Sequence, residues 1–477
     1  MEVKRIQANY QTQSLEKYQG NPLIETLPSA LTESEFTELM YVLKYFPEDF
    51  NALSQMDAND CIDDLKLVYI PTVEAYQIYE SLYTQIRKCY VKRNPLSADN
   101  RRLVNTVSTR LKSKGKFNVL QPSEYVATAP SILVSGKAGI GKTVLIRRIL
   151  STFPQIIKHT KYRSQVFEIQ QVGWMSFDMQ SSRSRKALAH NFFNELERVL
   201  GREIKGDFVK ARDSIDQLFH AMQTAAVVYN IGLIHIDEAQ FVLNPSANFK
   251  DAPTLPEIEA LFNKIGVPVI ISTTDDALTT FNSTESESLT KATKLQTVRR
   301  LNSIAHIKIK QWHVNTPKFE ELFSAYFQTS LFENSEVNSI EFKKQLLVLC
   351  VGVTDAISVL SIAFIRNYHL LLKKGKQPDC LKLLKQVYRA RMETWHAPLT
   401  KLRKDYDVVN SKKKVNNVHD PKATVSKFYT EAEAYTPKPA RKRTSEHHLK
   451  PASNVERINE GDEMIDADSI VASYGEE

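Results

Sequence analysis

The spacing of apolar residues changes three times along this chain of 477 residues. Up to about residue 115, apolar positions recur every three or four residues, which predicts helices. From 116 to 312, short apolar runs alternate with helical segments, the pattern of a parallel sheet covered on both faces. From 313 to 400 the pattern is helical again. Beyond 401 large apolar residues are few, and the segment, basic at first and acidic from 460, predicts a disordered charged tail.

Two helices stand out in the helical N-terminal extension, 1–115. Thr32 and Glu35 match a capping box, and the apolar residues after them predict a helix that continues until Pro47. A second helix is predicted over 72–90. Its stripe of aromatic and aliphatic residues is more typical of a packing face than of a nucleic acid stacking platform.

The α/β region and the helical subdomain that follows it contain most of the predicted strands and helices. Apolar runs predict strands over 132–135, 172–178, 233–237, 267–273 and 304–310. Helical spacing predicts helices over 143–153, 185–200, 214–229, 255–265, 317–328, 339–350, 355–369 and 381–395.

A phosphate-binding loop follows the first predicted strand of the α/β region. The stretch from 136 to 143 fits G-x-x-x-x-G-K-[ST] in a strand, loop and helix context. Glycines let successive backbone N–H groups face a phosphate, Lys142 adds a point charge, and Thr143 offers a hydroxyl to Mg²⁺. We therefore predict a site for ATP and Mg²⁺ formed by Gly136, Lys137, Ala138, Gly139, Ile140, Gly141, Lys142, Thr143 and Val144.

Two carboxylates end the predicted strand 233–237, about a hundred residues after the loop. Asp237 could hold the hydration shell of Mg²⁺, and Glu238 could orient or deprotonate an attacking water. A nucleoside kinase has no need of the second acid. The pair therefore favours hydrolysis of the nucleotide.

Further positions are candidates for the same reaction. The next strand ends in Ser272, Thr273 and Thr274, where one of these hydroxyls could reach the γ-phosphate, although strand-end capping is the ordinary alternative. Arg299 and Arg300 precede the last strand, where one of them could project into a neighbouring subunit's nucleotide. Surface arginine pairs are also common.

The balance of charge points to a polyanionic partner. The net charge is +8 and the isoelectric point is near 9.0. Arg183, Arg185 and Lys186 lie at the start of a predicted helix, where a loop could contact DNA phosphates, although a solvated basic face is about as common. Because no base-reading motif is present, we expect backbone contacts with little sequence preference and a steep salt dependence.

Cysteine usage and hydropathy concern the environment of the protein. The four cysteines are far apart and form no C-x-x-C pair, so we expect reduced thiols without a zinc site. Apolar runs of membrane-spanning length and an apolar leader at the N-terminus are both missing from the sequence. We expect a cytoplasmic, bacterial protein without a membrane partner.

The chain resembles the TnsC family, the AAA+ ATPases of targeted cut-and-paste transposons. The phosphate loop, Ile-Asp-Glu-Ala-Gln at 236–240, Ile-Gly-Val-Pro-Val at 265–269 and the helical subdomain carry this resemblance. Further similar stretches are Arg-Ile-Gln-Ala-Asn-Tyr at 5–10, Asn-Pro-Leu-Ile-Glu at 21–25, Tyr-Val-Lys-Arg-Asn-Pro at 90–95, Asn-Phe-Phe at 191–193 and Leu-Lys-Gln-Val-Tyr at 384–388.

This resemblance implies a regulator rather than the enzyme that cuts DNA. Members assemble with ATP into rings or filaments on duplex DNA, and they connect a TnsD/TniQ-type target selector to the TnsA and TnsB transposase subunits. ATP hydrolysis resets the complex. The resemblance covers about residues 1–400 and implies a targeting contact in 1–115, an AAA+ domain at 116–312 and a lid at 313–400. The tail at 401–477 does not match the family closely; because the C-terminal end of family members contacts the transposase, our hypothesis is that this tail does so too.

The sequence also departs from the family pattern. Asp275 and Asp276 replace the residues expected after the sensor threonine, and the segment 352–355 lacks the arginine that many AAA+ proteins place in the lid. Two other function classes stay open. They are an initiator or helicase-loader ATPase, which would be expected to add a winged-helix domain, and a scaffold that binds ATP without hydrolysing it.

Overall fold

The computed structural model describes residues 3–113, 131–179, 184–210, 212–239, 266–277, 305–332, 336–404, 406 and 408. All of these belong to one compact unit, Met1–Lys413. The predicted helix at 255–265, the residues Arg183, Arg299 and Arg300, and the predicted tail beyond 408 lie outside the described residues.

The strands form two sheets. They are β1 (Arg5–Gln7), β2 (Ser131–Gly136), β3 (Ile156–Tyr162), β4 (Gln165–Val172), β5 (Met175–Asp178), β6 (Ile234–Asp237), β7 (Val269–Thr274) and β8 (Ala305–Lys308). The central sheet has the order β5-β6-β7-β2-β8, and every pair in it is parallel. This confirms the predicted five-stranded parallel sheet. The carboxyl ends of parallel strands lie at one edge of the sheet, so the last residues of β2, β6 and β7 lie near one another at that edge.

A second sheet, with the order β1-β3-β4, was not predicted from the sequence. Its hairpin turns at Arg163 and Ser164, which both have positive φ, as a tight two-residue turn requires. The prediction of one strand over 172–178 was wrong, because β4 ends at Val172 and β5 begins at Met175. Between them lies Gly173, where a β-carbon would stand 2.4 Å from the Pro154 carbonyl oxygen, so only glycine fits where the chain crosses between sheets.

Most helices lie where the spacing of apolar residues placed them. They are α1 (Pro22–Glu25), α2 (Glu33–Met40), α3 (Gln55–Asp64), α4 (Glu74–Lys92), α5 (Ala98–Ser113), α6 (Lys142–Ser151), α7 (Arg185–Leu200), α8 (Lys205–Phe208) and α9 (Ile215–Val228), followed by α10 (Phe319–Tyr326), α11 (Thr329–Phe332), α12 (Ile340–Cys350), α13 (Thr354–Lys373), α14 (Cys380–Arg391) and α15 (Glu393–Arg403).

Helix α2 begins as predicted but ends early. Thr32 and Glu35 form both hydrogen bonds of the capping box. The predicted continuation to Pro47 was wrong, because the chain leaves the helix after Met40 and Val42 pairs with Tyr69 in an isolated antiparallel bridge. The tertiary contact therefore overrides a helical spacing of apolar residues that extends further along the sequence.

The two faces of the central sheet are covered by different parts of the chain. Helices α7 and α9 pack on one face, and α6 together with α4 of the N-terminal extension packs on the other. The aromatic stripe of α4 is buried, as predicted. Tyr90 donates from its hydroxyl to the Asn230 carbonyl over 2.9 Å, and Arg93 donates to the Ile231 carbonyl over 2.7 Å. The extension therefore supplies part of the core that positions the nucleotide loop.

The helical subdomain has its own core, to which the N-terminal extension also contributes. Phe46 and Phe50, together with apolar residues of α3, pack with α10, α12, α13 and α14. By length and composition, helix α13 is long and apolar enough to cross a membrane. Half of it is buried inside this core, however, and buried core helices can have the same length and composition. Cys89, Cys350 and Cys380 are buried, Cys61 is half-buried and all four are free thiols, as predicted.

Gly232 tests how tightly α4 is packed against the central sheet. A β-carbon there would stand 2.4 Å from the Tyr90 hydroxyl oxygen and 2.5 Å from the Gly173 carbonyl oxygen. We expect Gly232→Ala to lower the free energy of unfolding by about 1–3 kcal/mol, measured by chemical denaturation. Gly206→Ala is the control, since a β-carbon at that position in α8 meets no atom within 4 Å. Equal stability of the two variants would contradict the packing described for α4.

Candidate nucleotide-binding site

The phosphate loop connects β2 to α6 at the carboxyl edge of the central sheet. Strand β2 is buried along its length and ends at Gly136, and α6 begins at Lys142. Gly139 and Gly141 have φ values of 74° and 97°, a left-handed conformation that side chains disfavour. The loop therefore curls in the way that directs backbone N–H groups and the start of α6 toward a bound anion.

Lys142 is held inside this loop rather than extended into solvent. Its ammonium donates to the carbonyl oxygens of Gly136 at 3.1 Å and Lys137 at 3.0 Å. Burial lowers the pKa of Lys142, while the nearby carboxylates of Glu238 and Asp237 act in the opposite direction. A cation so placed, next to the anion-binding loop, is suited to contact phosphate oxygens.

Asp237 is a buried carboxylate surrounded by hydrogen-bond donors. Its Oδ1 accepts from the Ser272 hydroxyl and from the Glu238 N–H at 3.0 Å, and the Thr143 hydroxyl also hydrogen-bonds the carboxylate. Burial by itself disfavours ionisation, but the neighbouring His235 and these donors hold the pKa of Asp237 below its usual value. The group is therefore anionic at neutral pH and lies against the residue that ends the phosphate-loop motif.

The donors at this point fit Mg²⁺. One carboxylate and one hydroxyl, Asp237 and Thr143, lie together where the loop turns into α6. Mg²⁺ is commonly bound by one or two protein oxygens, with phosphates and water completing its shell. Among the described residues there is no cluster of three or more metal-ligating side chains, so a cage made only of protein ligands is not present there.

Glu238 follows Asp237 and has a left-handed backbone conformation. Its φ of 55° is unusual for a residue with a side chain, and it turns the chain sharply at the end of β6. The Glu238 carboxylate acts electrostatically on Lys142, so the two side chains are close. Strained backbone geometry of this kind is often found at functional sites. The two acids thus occupy different positions beside the same loop.

Thr274 and the acids after it lie at the next strand end. Thr274 pairs in register with Gly136, which places it beside the start of the phosphate loop. Asp275 accepts from the Ser135 hydroxyl at 2.9 Å and forms an ion pair with Lys308 on β8 at 2.9 Å. Asp276 forms an ion pair with Lys137 of the loop at 3.3 Å. The two acids that depart from the family pattern therefore bind the end of β7 to β8 and to the loop.

The start of α13 in the helical subdomain contacts the phosphate loop directly. The Thr354 hydroxyl donates to the Ile140 carbonyl at 3.1 Å and accepts from the Trp312 indole N–H at 2.9 Å. The Asp355 N–H donates to the Gly139 carbonyl at 3.1 Å. Burial raises the pKa of the Asp355 carboxyl group. Contacts at this point of the lid are thus made by a threonine and an aspartate.

The candidate DNA-binding residues lie at the start of α7. Ser184 caps this helix by accepting from the Ala187 N–H at 3.1 Å, and Arg185 and Lys186 occupy its first turn with partial and full exposure. Because α7 follows β5, this turn lies toward the carboxyl edge of the sheet, as the phosphate loop does.

Sequence reasoning missed several residues of the site. His235 and Ser176 lie behind Asp237, and Thr354 and Trp312 connect the helical subdomain to the loop. Ser272 was considered only as a candidate γ-phosphate contact, whereas its hydroxyl hydrogen-bonds Asp237. The histidine inside the apolar strand Ile-His-Ile-Asp was a usable signal, since a buried imidazole needs partners. For Thr354 and Trp312 the sequence offers no comparable signal, because they are separated from the loop by more than 150 residues.

The fold and the site agree with a known domain family. Residues 126–281 match the family model described as an AAA domain. The chain carries an AAA-type P-loop ATPase domain. Binding of a nucleotide, usually with Mg²⁺, is what this fold implies.

Three solved structures that resemble the chain are distant in sequence. The Walker-type ATPase PABY2304 of Pyrococcus abyssi is 15% identical, with a TM-score of 0.33, over 65% of this chain and 77% of its own. Cdc6p from Pyrobaculum aerophilum is 12% identical, with a TM-score of 0.24, over 65% and 94%. The FIGL-1 AAA domain in complex with ADP is 13% identical, with a TM-score of 0.26, over 66% and 89%. Scores this low carry no argument about function. Proteins with curated functions gave no match to this sequence.

The contact between lid and loop can be tested at Thr354. Thr354→Val removes the hydroxyl while keeping the shape, which leaves the Trp312 N–H and the Ile140 carbonyl unpaired. We expect a loss of about 1–3 kcal/mol in the free energy of unfolding, measured by denaturation. Thr354→Ser keeps the hydroxyl and should lose less. If the valine and serine variants are equally stable, the bridge contributes nothing to stability.

Proposed function

We propose that this protein hydrolyses ATP as a switch that controls its assembly on duplex DNA during transposition. The observation that carries the ATPase part is the meeting of Lys142, Thr143, Asp237 and Glu238 at one edge of the sheet. The resemblance of the chain to the TnsC family over about residues 1–400 supports the transposition part.

Each site residue has a role in this proposal. Lys142 and the loop amides bind the phosphates, and Thr143 and Asp237 hold Mg²⁺, which when bound stabilises charge on the phosphate oxygens. Glu238 orients and deprotonates the attacking water. Thr274, beside Gly136, contacts the γ-phosphate. Arg299 or Arg300 reaches a neighbouring subunit's nucleotide, which makes turnover depend on assembly into a ring or filament.

The contacts between the lid and the phosphate loop explain how a change of the bound nucleotide could alter the rest of the molecule. Thr354 and Asp355 hydrogen-bond the loop carbonyls of Ile140 and Gly139. A loop that rearranges around phosphates therefore changes the contacts that position α13. Helix α13 belongs to the core that also contains α3 of the N-terminal extension. In this proposal the extension contacts a TnsD/TniQ-type selector, and the C-terminal segment contacts TnsA and TnsB.

Intact hydrolytic residues separate this proposal from a scaffold that only binds ATP. Glu238 lies close enough to act on Lys142, whereas a scaffold has no need of a second acid at this place. In this proposal the transposase partners cut the DNA strands, and this chain acts as the regulator.

The role of Glu238 is tested by Glu238→Gln. The amide keeps the shape but cannot accept the proton of the attacking water, so we expect hydrolysis to fall by at least about a hundredfold while ATP binding persists. Electron microscopy with duplex DNA and ATP should then show rings or filaments that outlast those of the wild type. The control is Lys142→Ala, which should lose nucleotide binding and assembly together. Normal turnover in Glu238→Gln would remove Glu238 from its role, and wild-type protein that forms no assembly on DNA with a non-hydrolysable ATP analogue would overturn the switch.

DNA binding is tested by changing Arg183, Arg185 and Lys186 together to glutamine. Each lost phosphate contact lowers the slope of log affinity against log salt concentration by about 0.9, so we expect a decrease of about 2–3 in that slope. Affinity is measured by fluorescence anisotropy of labelled duplexes over a range of salt. The matched control changes Lys158 and Lys161, two exposed lysines of β3 in the second sheet, and should leave the slope unchanged. An unchanged slope in the triple variant would place the DNA path elsewhere.

A further inference from the structure

A row of three polar side chains lies behind the Asp237 carboxylate in the central sheet. Ser176, His235 and Ser272 stand on the adjacent strands β5, β6 and β7. The His235 ring contacts Ser176 Oγ through Nδ1 at 2.8 Å and Ser272 Oγ through Nε2 at 3.1 Å. Ser272 also hydrogen-bonds Asp237 Oδ1. His235 and Ser272 are fully buried, and Asp237 is 2% exposed.

Elementary chemistry fixes the direction of every hydrogen bond in this row. An ionised carboxylate only accepts, so Ser272 donates its single hydroxyl proton to Asp237. Ser272 Oγ must then accept from His235, so the imidazole proton is on Nε2. In a neutral imidazole Nδ1 is then the acceptor, and Ser176 donates to it. The row is a directed relay that ends on the carboxylate, and each polar atom in it has a partner.

The relay determines how Asp237 is oriented. Oδ1 accepts both the Ser272 hydroxyl and the Glu238 N–H, which leaves this oxygen little freedom to rotate. Partners behind a metal ligand commonly fix its orientation in this way. Hydrogen bonds inside a low-dielectric sheet also strengthen one another, and a half-satisfied row would be costly.

Packing alone does not explain these residues. A buried imidazole and two hydroxyls cost free energy unless they are fully paired, and aliphatic residues fill interior positions of a parallel sheet without that requirement. The neighbours of His235 in β6 are Ile234 and Ile236, both fully buried. The row of Ser176, His235 and Ser272 leads to the candidate metal ligand, whereas a second row in the sheet, from His306 through Ser135, leads to Asp275.

We propose that Ser272 and His235 are positioning residues, which hold Asp237 in the orientation that binds Mg²⁺ with the nucleotide. This inference rests on the proposed ATPase function and deepens it. Ser272 acts on Asp237 directly, and His235 acts through Ser272 by keeping the Ser272 proton directed at Asp237. Neither residue touches the nucleotide.

The test measures the affinity of a fluorescent ADP analogue with Mg²⁺ and with EDTA, so that it does not depend on turnover. We expect wild-type protein to bind more tightly with Mg²⁺. In Ser272→Ala, affinity in EDTA should match the wild type, whereas half-maximal tightening should need about tenfold more Mg²⁺. Ser272→Thr keeps a hydroxyl and should restore most of the Mg²⁺ response.

His235 provides an independent pair of variants in case Ser272→Ala folds poorly. His235→Gln places an amide N–H near the position of Nε2 and should keep the Mg²⁺ response, while His235→Leu should lose it to a similar extent as Ser272→Ala. Ser361→Ala is the control for loss of a buried hydroxyl, since the Ser361 hydroxyl in α13 has no hydrogen-bond partner within the described structure.

Each outcome has a definite meaning. A shifted Mg²⁺ response in Ser272→Ala and His235→Leu, with rescue in the threonine and glutamine variants, supports the relay. An unchanged Mg²⁺ response in folded Ser272→Ala and His235→Leu overturns it and leaves the ATPase proposal intact. Wild-type protein whose ADP affinity does not respond to Mg²⁺ overturns the ATPase proposal and the relay with it.

Discussion

The structure depends on the burial of two opposite charges, those of Lys142 and Asp237, at one edge of the central sheet. Lys142 and Asp237 are both buried, and burying an ion is costly unless hydrogen bonds replace the lost water. Two loop carbonyls accept from Lys142, and hydroxyl and amide donors surround Asp237. These partners come from β2, β6 and β7, so the register of the three strands has to be right for either charge to be tolerated.

That register in turn depends on what covers the sheet. Helices α7 and α9 cover one face, but the other face needs α4, a helix of the N-terminal extension. Residues around α3 meanwhile pack in the core of the helical subdomain, whose α13 contacts the phosphate loop. One N-terminal segment therefore contacts both the nucleotide-binding sheet and the lid.

The acidic residues after Thr274 show how an unusual sequence can still build a conventional loop environment. Asp275 pairs with Lys308 and Ser135, and Asp276 pairs with Lys137. In place of groups that would attract phosphate, this strand end has ion pairs that hold neighbouring elements together. The lid contact follows the same principle, because Thr354 acts by a hydrogen bond where an arginine would have acted by its charge.

The sequence by itself determined the elements whose signal is local. Glycines at 139 and 141, followed by lysine and threonine, predicted the loop because its conformation arises within eight residues. Apolar runs and helical spacing likewise predicted the five-stranded sheet, α7, α9 and the buried stripe of α4. Only the tertiary structure decided which groups meet across strands or between distant helices. The Val42–Tyr69 bridge that follows α2, the pairing of β1 with β3, and the relay behind Asp237 all join residues far apart in sequence, and no local preference encodes such contacts.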